Sequence, residues 1–283
     1  MARPAGPLAD GGPGLPRLLP DHGAVPVGLA AHLHRHGMLP YRGGARRLIP
    51  EVAAAGLTGR GGAAFPVHRK LAAVAGHQAR PVVIGNGAEG EPASNKDKSL
   101  LWISPHLVLD GLQLAAEAVG SPTAGLYVHR TGRLTRQLAT ALAERAAAGV
   151  DRVPVELIGA PPRFLAGEAT ALASVTAGGA ALPGFKAPRL SARGVAGRPT
   201  LVQNVETLAH LALIARYGAA WFRSAGTAAE PGSMLVTLHQ ANGRVDVVET
   251  TPGTPLRHLL ALGQPEHVPG QADAPGRADV PGR

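Results

Sequence analysis

The sequence predicts an α/β fold organised on a parallel sheet, and three observations carry that expectation. Short branched or apolar runs at 81–86, 124–129 and 153–158 have the character of buried strands. Between them lie helical patterns of ten or more residues, and such alternation implies parallel pairing through crossovers. The chain's 283 residues, 45% of them apolar and 17% charged, suffice to bury a substantial core.

Each element has its own signal along the chain. Residues 1–22, rich in Pro and Gly, read as a poorly ordered lead-in. A helix over 28–36 ends at Gly37 and carries His32, His34 and His36. His32 and His36 share a face, but no carboxylate ligand neighbours them, so they read as solvated histidines and not as a metal pair. A helix over 45–55 stops at Gly56, a glycine-rich loop fills 59–66, and a further helix runs to Ala75. Strand 81–86 breaks into an acidic turn at 87–92, followed by helices over 96–103 and 105–119. A helix over 133–148 separates the second and third strands. Residues 159–197 are loose and Gly/Pro/Ala-rich, with a helix at 167–176; an irregular stretch of that length marks a functional loop. A helix over 202–217 closes the unit. Strands 234–240 and 245–250 around Asn242-Gly243 form a hairpin, and a helix over 254–262 follows. The expected divisions are a lead-in (1–22), an α/β unit (23–230), a ββα segment (231–263) and a disordered tail (264–283) repeating a Pro-Gly-x-Ala-Asp theme.

Composition excludes several functions. With no cysteine, the chain has no disulfide, thiolate zinc site, cysteine nucleophile or cysteine-ligated iron–sulfur cluster. The net charge of +9 permits anionic partners, yet 24 of the 28 basic residues are scattered arginines, as a GC-rich genome imposes. Without basic stripes or stacking aromatics, no nucleic-acid partner is expected. No signal peptide or membrane-spanning run is evident, which predicts a cytoplasmic protein with at most a peripheral place at the inner face of a membrane assembly.

Two segments carry chemistry. In the loop Gly59-Arg60-Gly61-Gly62-Ala63-Ala64-Phe65-Pro66, glycines free backbone amides to approach a ligand, and a helix begins behind them. Open amides at a helix N-terminus favour an anion, typically phosphate, and Lys70 adds a point charge. The loop does not follow a strand, so it is no dinucleotide fingerprint, and an ordinary Gly-rich turn is the alternative. The acidic turn, with Asn86, Glu89 and Glu91, sits at a strand's carboxyl end, where open α/β sheets bind ligands. Its carboxylates could accept ribose or ribityl hydroxyls; a solvated turn is the alternative.

Four blocks in order, GLTGRGGAAFPVHRKL, NGAEGEPASNKDK, FLAGEATAL and GRPTLVQNVETLAHL, resemble the NADH-oxidising flavoprotein component of respiratory complex I. The related subunits of NAD-dependent hydrogenases and formate dehydrogenases are equally similar, and the likeness spans about residues 40–263. The resemblance implies a Rossmann-like FMN-binding domain, then an incomplete β-grasp, with NADH passing hydride directly to FMN and no side chain acting as acid or base. It places the FMN phosphate at Gly59, Arg60, Gly61 and Gly62 with Lys70. Ring and ribityl contacts fall to Asn86 and Asn204, and Glu89, Phe164, Gly167, Glu168, Gln203 and Thr207 are further cofactor-binding positions. Phe65 and Glu91 would orient the nicotinamide nucleotide.

The departures are specific. Ala88 replaces the family's Asp, Ala169 a Glu, Phe164 a Tyr, Gln203 an Asn, and Ala73 and Arg189 stand where aromatics clamp adenine. Contacts to NADH are therefore altered more than those to FMN, and NADPH stays open as a donor. The family's 4Fe–4S domain has no counterpart here, so electrons would pass to a partner subunit carrying iron–sulfur clusters. The expected activity is that of an FMN-dependent NADH dehydrogenase; the alternative is a truncated or frame-shifted relative that keeps the fold without turnover.

Overall fold

A computed structural model describes residues 3–4, 15–20, 25–41, 45–129, 132–184 and 188–262. Regular structure begins with a two-residue strand β1 (Arg3–Pro4), followed by helices α1 (Leu29–His36), α2 (Ala45–Ala55) and α3 (Val67–Ala75). Then come β2 (Val82–Asn86), α4 (Lys96–Ile103), α5 (Pro105–Val119), β3 (Ala124–His129), α6 (Gly132–Ala148) and β4 (Val155–Ala160). A 3-10 turn (Phe164–Gly167), α7 (Ala169–Thr176), β5 (Thr200–Asn204) and α8 (Val205–Arg223) follow. Strands β6 (Met234–His239) and β7 (Val245–Thr250) and helix α9 (Leu256–Leu262) come last.

The main sheet is wholly parallel, in the order β4-β3-β2-β5. This is the predicted α/β class with one strand more than expected. Residues 200–204 are β5, where the sequence pattern suggests a helix starting at Val202. Leu201, Val202, Val205 and Leu208 recur at helical spacing, and that period hides the junction. The chain changes conformation at Asn204, whose extended backbone and side chain cap α8 by accepting the Glu206 amide (2.9 Å). Strand β4 also lies two residues later than expected.

Helix α5 is almost entirely buried, starts with Pro105 in its first turn and ends at left-handed Gly120. It packs against α8, and at Gly111 the two backbones touch. The hairpin β6–β7 is antiparallel, and β1 extends it in parallel to the order β1-β7-β6. Residues 15–20, expected in a disordered lead-in, are packed: Leu18 and Leu19 are buried, and the Glu249 carboxylate accepts the amides of Arg17 and Leu18 (2.8 Å each). The predicted tail, 264–283, lies outside the described residues.

Two of the helix-borne histidines, His32 and His36, read from sequence as solvated, are instead packed against partners because α1 lies against α5 and α8. His32 Nε2 meets Asp110 Oδ2 at 2.7 Å, and His36 Nδ1 lies 3.0 Å from the Tyr217 hydroxyl. Among the described residues no group of metal ligands forms. Asp110 also pairs with Arg145 and Arg216, so α1, α5, α6 and α8 meet at one buried carboxylate. Burial, then His32, Arg35 and Arg216, pushes His36 down to about 3. Burial, then His32 and Arg145, pushes His106 down to about 4. Unfolded, both titrate near 6.5. Between these values the unfolded chain binds more protons, so stability is full above about pH 6.5 and is lost as pH falls toward 4 and 3. Thermal melts should show this acid limb, shallower in His36→Gln; superimposable wild-type and variant profiles would contradict the assignment.

Candidate functional site

The sheet order reverses beside β2: β3 and β4 extend to one side and β5 lies on the other. Such a switch point opens a crevice at the carboxyl ends of the adjoining strands. There Asn86 and Asn204, the last residues of β2 and β5, sit opposite each other in register. Above them is a cavity of about 340 Å³, within the range of cofactor sites. Of the residues picked from sequence, Gly59, Gly61, Phe65, Lys70, Asn86, Gly167, Glu168, Gln203, Asn204 and Thr207 line it.

The glycine loop is closed at its base by two backbone bonds, Gly59 N–H to Phe65 O (2.9 Å) and Val67 N–H to Leu57 O (3.0 Å). Gly62 takes φ +101°, a conformation that L side chains rarely adopt. A Cβ on Gly61 would stand 3.3 Å from the Asn204 Cβ, so the loop lies directly against the start of α8. The Arg60 amide donates to Thr207 Oγ1 (2.9 Å) and fixes that approach. The Arg60 side chain leaves the cavity and donates to Pro231 O (3.2 Å).

Lys70 lies on the cavity wall, half-buried, and among the described residues its side-chain ammonium has no hydrogen-bond or ion-pair partner. Burial lowers its pKa from the ordinary lysine value. Gln203 is buried on the same wall, and its Nε2 has no partner among the described residues. Phe65, 44% exposed, stands at the mouth. Phe164 opens the 3-10 turn; its side chain lies outside the described residues.

Elsewhere the lining comes from Asn86, Gly167, Glu168 and Ala169. Asn86 Nδ2 donates to Gly167 O (2.8 Å) while its Oδ1 accepts the Ala88 amide (3.2 Å), joining the acidic turn to the Phe164–Gly167 turn. Glu168 caps α7, accepting the amides of Thr170 (2.8 Å) and Ala171 (2.9 Å). Glu89 stands behind the wall: its Oε1 accepts the Ser94 hydroxyl and the Asp97 amide (3.3 Å). Burial, then the nearby Asp97, raises its pKa. Glu91 is exposed and, like Glu89, Arg60 and Gly62, does not line the cavity.

Three residues absent from the sequence-derived set complete the site's polar framework. Lys96 Nζ bonds Asp97 Oδ1 (2.7 Å) and Glu206 Oε2 (2.9 Å), and Asn204 Nδ2 donates to Asp97 Oδ2 (2.6 Å). Lys96 and Asp97 stand inside the second block and Glu206 inside the fourth, so the residues were visible; their meeting across 110 positions was not.

The family model described as Nuo51 FMN-binding domain matches residues 52–213, which include the glycine loop, the acidic turn and the start of α8. The chain belongs to this family. The second F subunit of the NADH-quinone oxidoreductase of Rhizobium meliloti (strain 1021) is 32% identical over 227 residues, covering 75% of this chain and 53% of that protein. The corresponding NADH-quinone oxidoreductase component of Mycobacterium tuberculosis (strain ATCC 25618 / H37Rv) is 33% identical over 228 residues, covering 75% and 51%. A chain of the NAD+-reducing [NiFe]-hydrogenase in its H2-reduced state superposes with a TM-score of 0.68 at 32% identity, over 77% of this chain and 39% of that one. The Nuo51-family chain thus spans about half the length of the curated relatives it matches. It contains no cysteine, and none of its described helices is long and apolar enough to cross a membrane.

Proposed function

We propose that the switch-point cavity holds FMN and that the chain accepts hydride there from NADH, with NADPH as the competing donor. The observation that carries this reading is the convergence on one crevice of the glycine loop, of Lys70, whose ammonium has no partner among the described residues, and of the paired strand ends Asn86 and Asn204. A phosphate there would meet the loop amides and the Lys70 ammonium, and a polar flavin edge the remaining amide groups of the two asparagines. The site therefore fits the group that the family's description names.

When bound, FMN supplies the hydride-accepting ring. The protein's task is placement. Gly59 and Gly61 let the backbone approach the phosphate, and Lys70 adds a charge-assisted bond. Asn86 and Asn204, each already fixed by two bonds, offer their remaining amide hydrogens and lone pairs to the ribityl chain or the ring. Phe65 offers a face for the donor's adenine, and Glu91 lies free to meet its polar atoms. These 283 residues hold no cysteine, so in this reading the iron–sulfur acceptor of the electrons lies outside them, on a partner subunit of the assembly.

The test is to load the chain with FMN, remove the excess, and titrate anaerobically with NADH and then NADPH while following the oxidised flavin band. Bleaching supports a hydride-accepting flavoprotein. Retained but unbleached flavin favours the non-catalytic relative, and no retained flavin overturns the assignment. Lys70→Ala should weaken FMN binding at least about tenfold, the worth of one charge-assisted bond. Unchanged affinity by flavin-fluorescence titration would remove Lys70 from the phosphate site.

A further inference from the structure

We infer that Asp97 is a positioning residue for the cofactor cavity: it acts through Asn204, and Lys96 with Glu206 keeps it charged and in place. The inference rests on the FMN reading of the cavity. None of these three side chains lines the cavity, and Asp97 and Glu206 are almost wholly buried.

The argument starts from the Asn204 amide, which could face two ways. A carboxylate only accepts hydrogen bonds, so Asp97 Oδ2 requires Nδ2 on its side (2.6 Å). The Glu206 amide only donates, so it requires Oδ1 on the other (2.9 Å). The two demands agree, and what Asn204 has left for a ligand, one N–H and one lone pair, is fixed in direction. Asp97 also holds the acidic turn, because its own amide donates to Glu89 Oε1 (3.3 Å). Asp97 thus reaches the end of β5 through its carboxylate and the turn after β2 through its backbone amide.

A buried carboxylate keeps its charge only with compensation. Lys96 provides it, with Nζ between Asp97 and Glu206. Burial alone would lower the Lys96 pKa; the two carboxylates outweigh burial and hold it above the ordinary lysine value. Glu206 is anchored in turn, its Oε1 accepting the Leu235 amide of β6 (3.0 Å).

Flavin-fluorescence titration tests this on the full chain. Asp97→Asn, a near-isostere that no longer compels the Asn204 orientation, should raise the FMN Kd about tenfold. Lys96→Met should bind FMN weakly at pH 8 and recover as pH falls, because Glu206, whose pKa burial raises and which Arg60 and His210 also face, takes a proton and leaves Asp97 the charged acceptor for Asn204. The ratio of its Kd to the wild-type Kd should therefore fall toward one by pH 5.5, a pH signature that loss of packing would not give. Lys96→Arg should restore most of the affinity at pH 8. Wild-type affinity in Asp97→Asn, or a pH-independent Lys96→Met ratio alongside tight wild-type binding, overturns the inference alone. A wild-type chain that holds no FMN overturns the functional reading and this inference with it. If Asp97→Asn does not fold, the Lys96→Met ratio decides.

Discussion

Gly111→Ala is expected to cost about 3–5 kcal/mol, a large share of a typical domain's stability. A Cβ there would lie 2.8 Å from the Leu208 Cα and closer still to its carbonyl carbon and oxygen. All three are backbone atoms of α8, so no side-chain rotation relieves the clash. The two helices would have to move apart inside the core, where Leu107, Val108, Leu112 and Leu211 are all buried. Alanine's better helix propensity returns at most about 1 kcal/mol. At about 2–4 °C per kcal/mol for a chain of this size, the melting temperature should fall by roughly 10 °C. A melt within 2 °C of wild type would mean that the helices are not in backbone contact.

The second large effect is expected at the site. Gly167→Ala should weaken FMN binding more than about tenfold, the worth of one or two lost polar contacts, while unfolding the chain little. Its Cβ would collide with the Ala88 carbonyl oxygen, and so part the acidic turn from the Phe164–Gly167 turn. The bond from Asn86 to Gly167 O would go with it, freeing a residue that lines the cavity. Because both turns lie outside the central packing of α5 and α8, melting should change by only a few degrees. Fluorescence titration beside a melt separates the two effects; intact affinity with a lowered melt would make Gly167 a packing glycine only.

These cases show what the sequence displays and what it hides. The parallel sheet was legible because β2 and β3 are short apolar runs between helices, and the glycine loop because its residues speak for themselves. Strand β5 was hidden because its apolar residues continue the spacing of α8, and only the conformation at Asn204 divides them. Without β5 there is no switch point, so the crevice could be anticipated by resemblance but not built. The same limit applies to charge. Nothing in their order along the chain pairs Lys96 and Asp97 with Glu206; they become one buried unit only when α4 and α8 are packed side by side.

The hairpin's attachment bears on modularity. Leu235 bonds Glu206, Thr237 Oγ1 accepts the Asn95 amide (3.0 Å), His239 reaches Ala93 O (2.6 Å), and Pro231 O receives Arg60. Each bond ends on the glycine loop, the stretch leading from the acidic turn into α4, or the start of α8. A cut near residue 230 would look like a clean seam on a topology diagram, yet it would strand Glu206 and Arg60 without these acceptors and donors. The smallest portable unit for transplanting this crevice into another protein therefore includes β6 and β7, and recombination that separated them would pass on a sheet without a finished site.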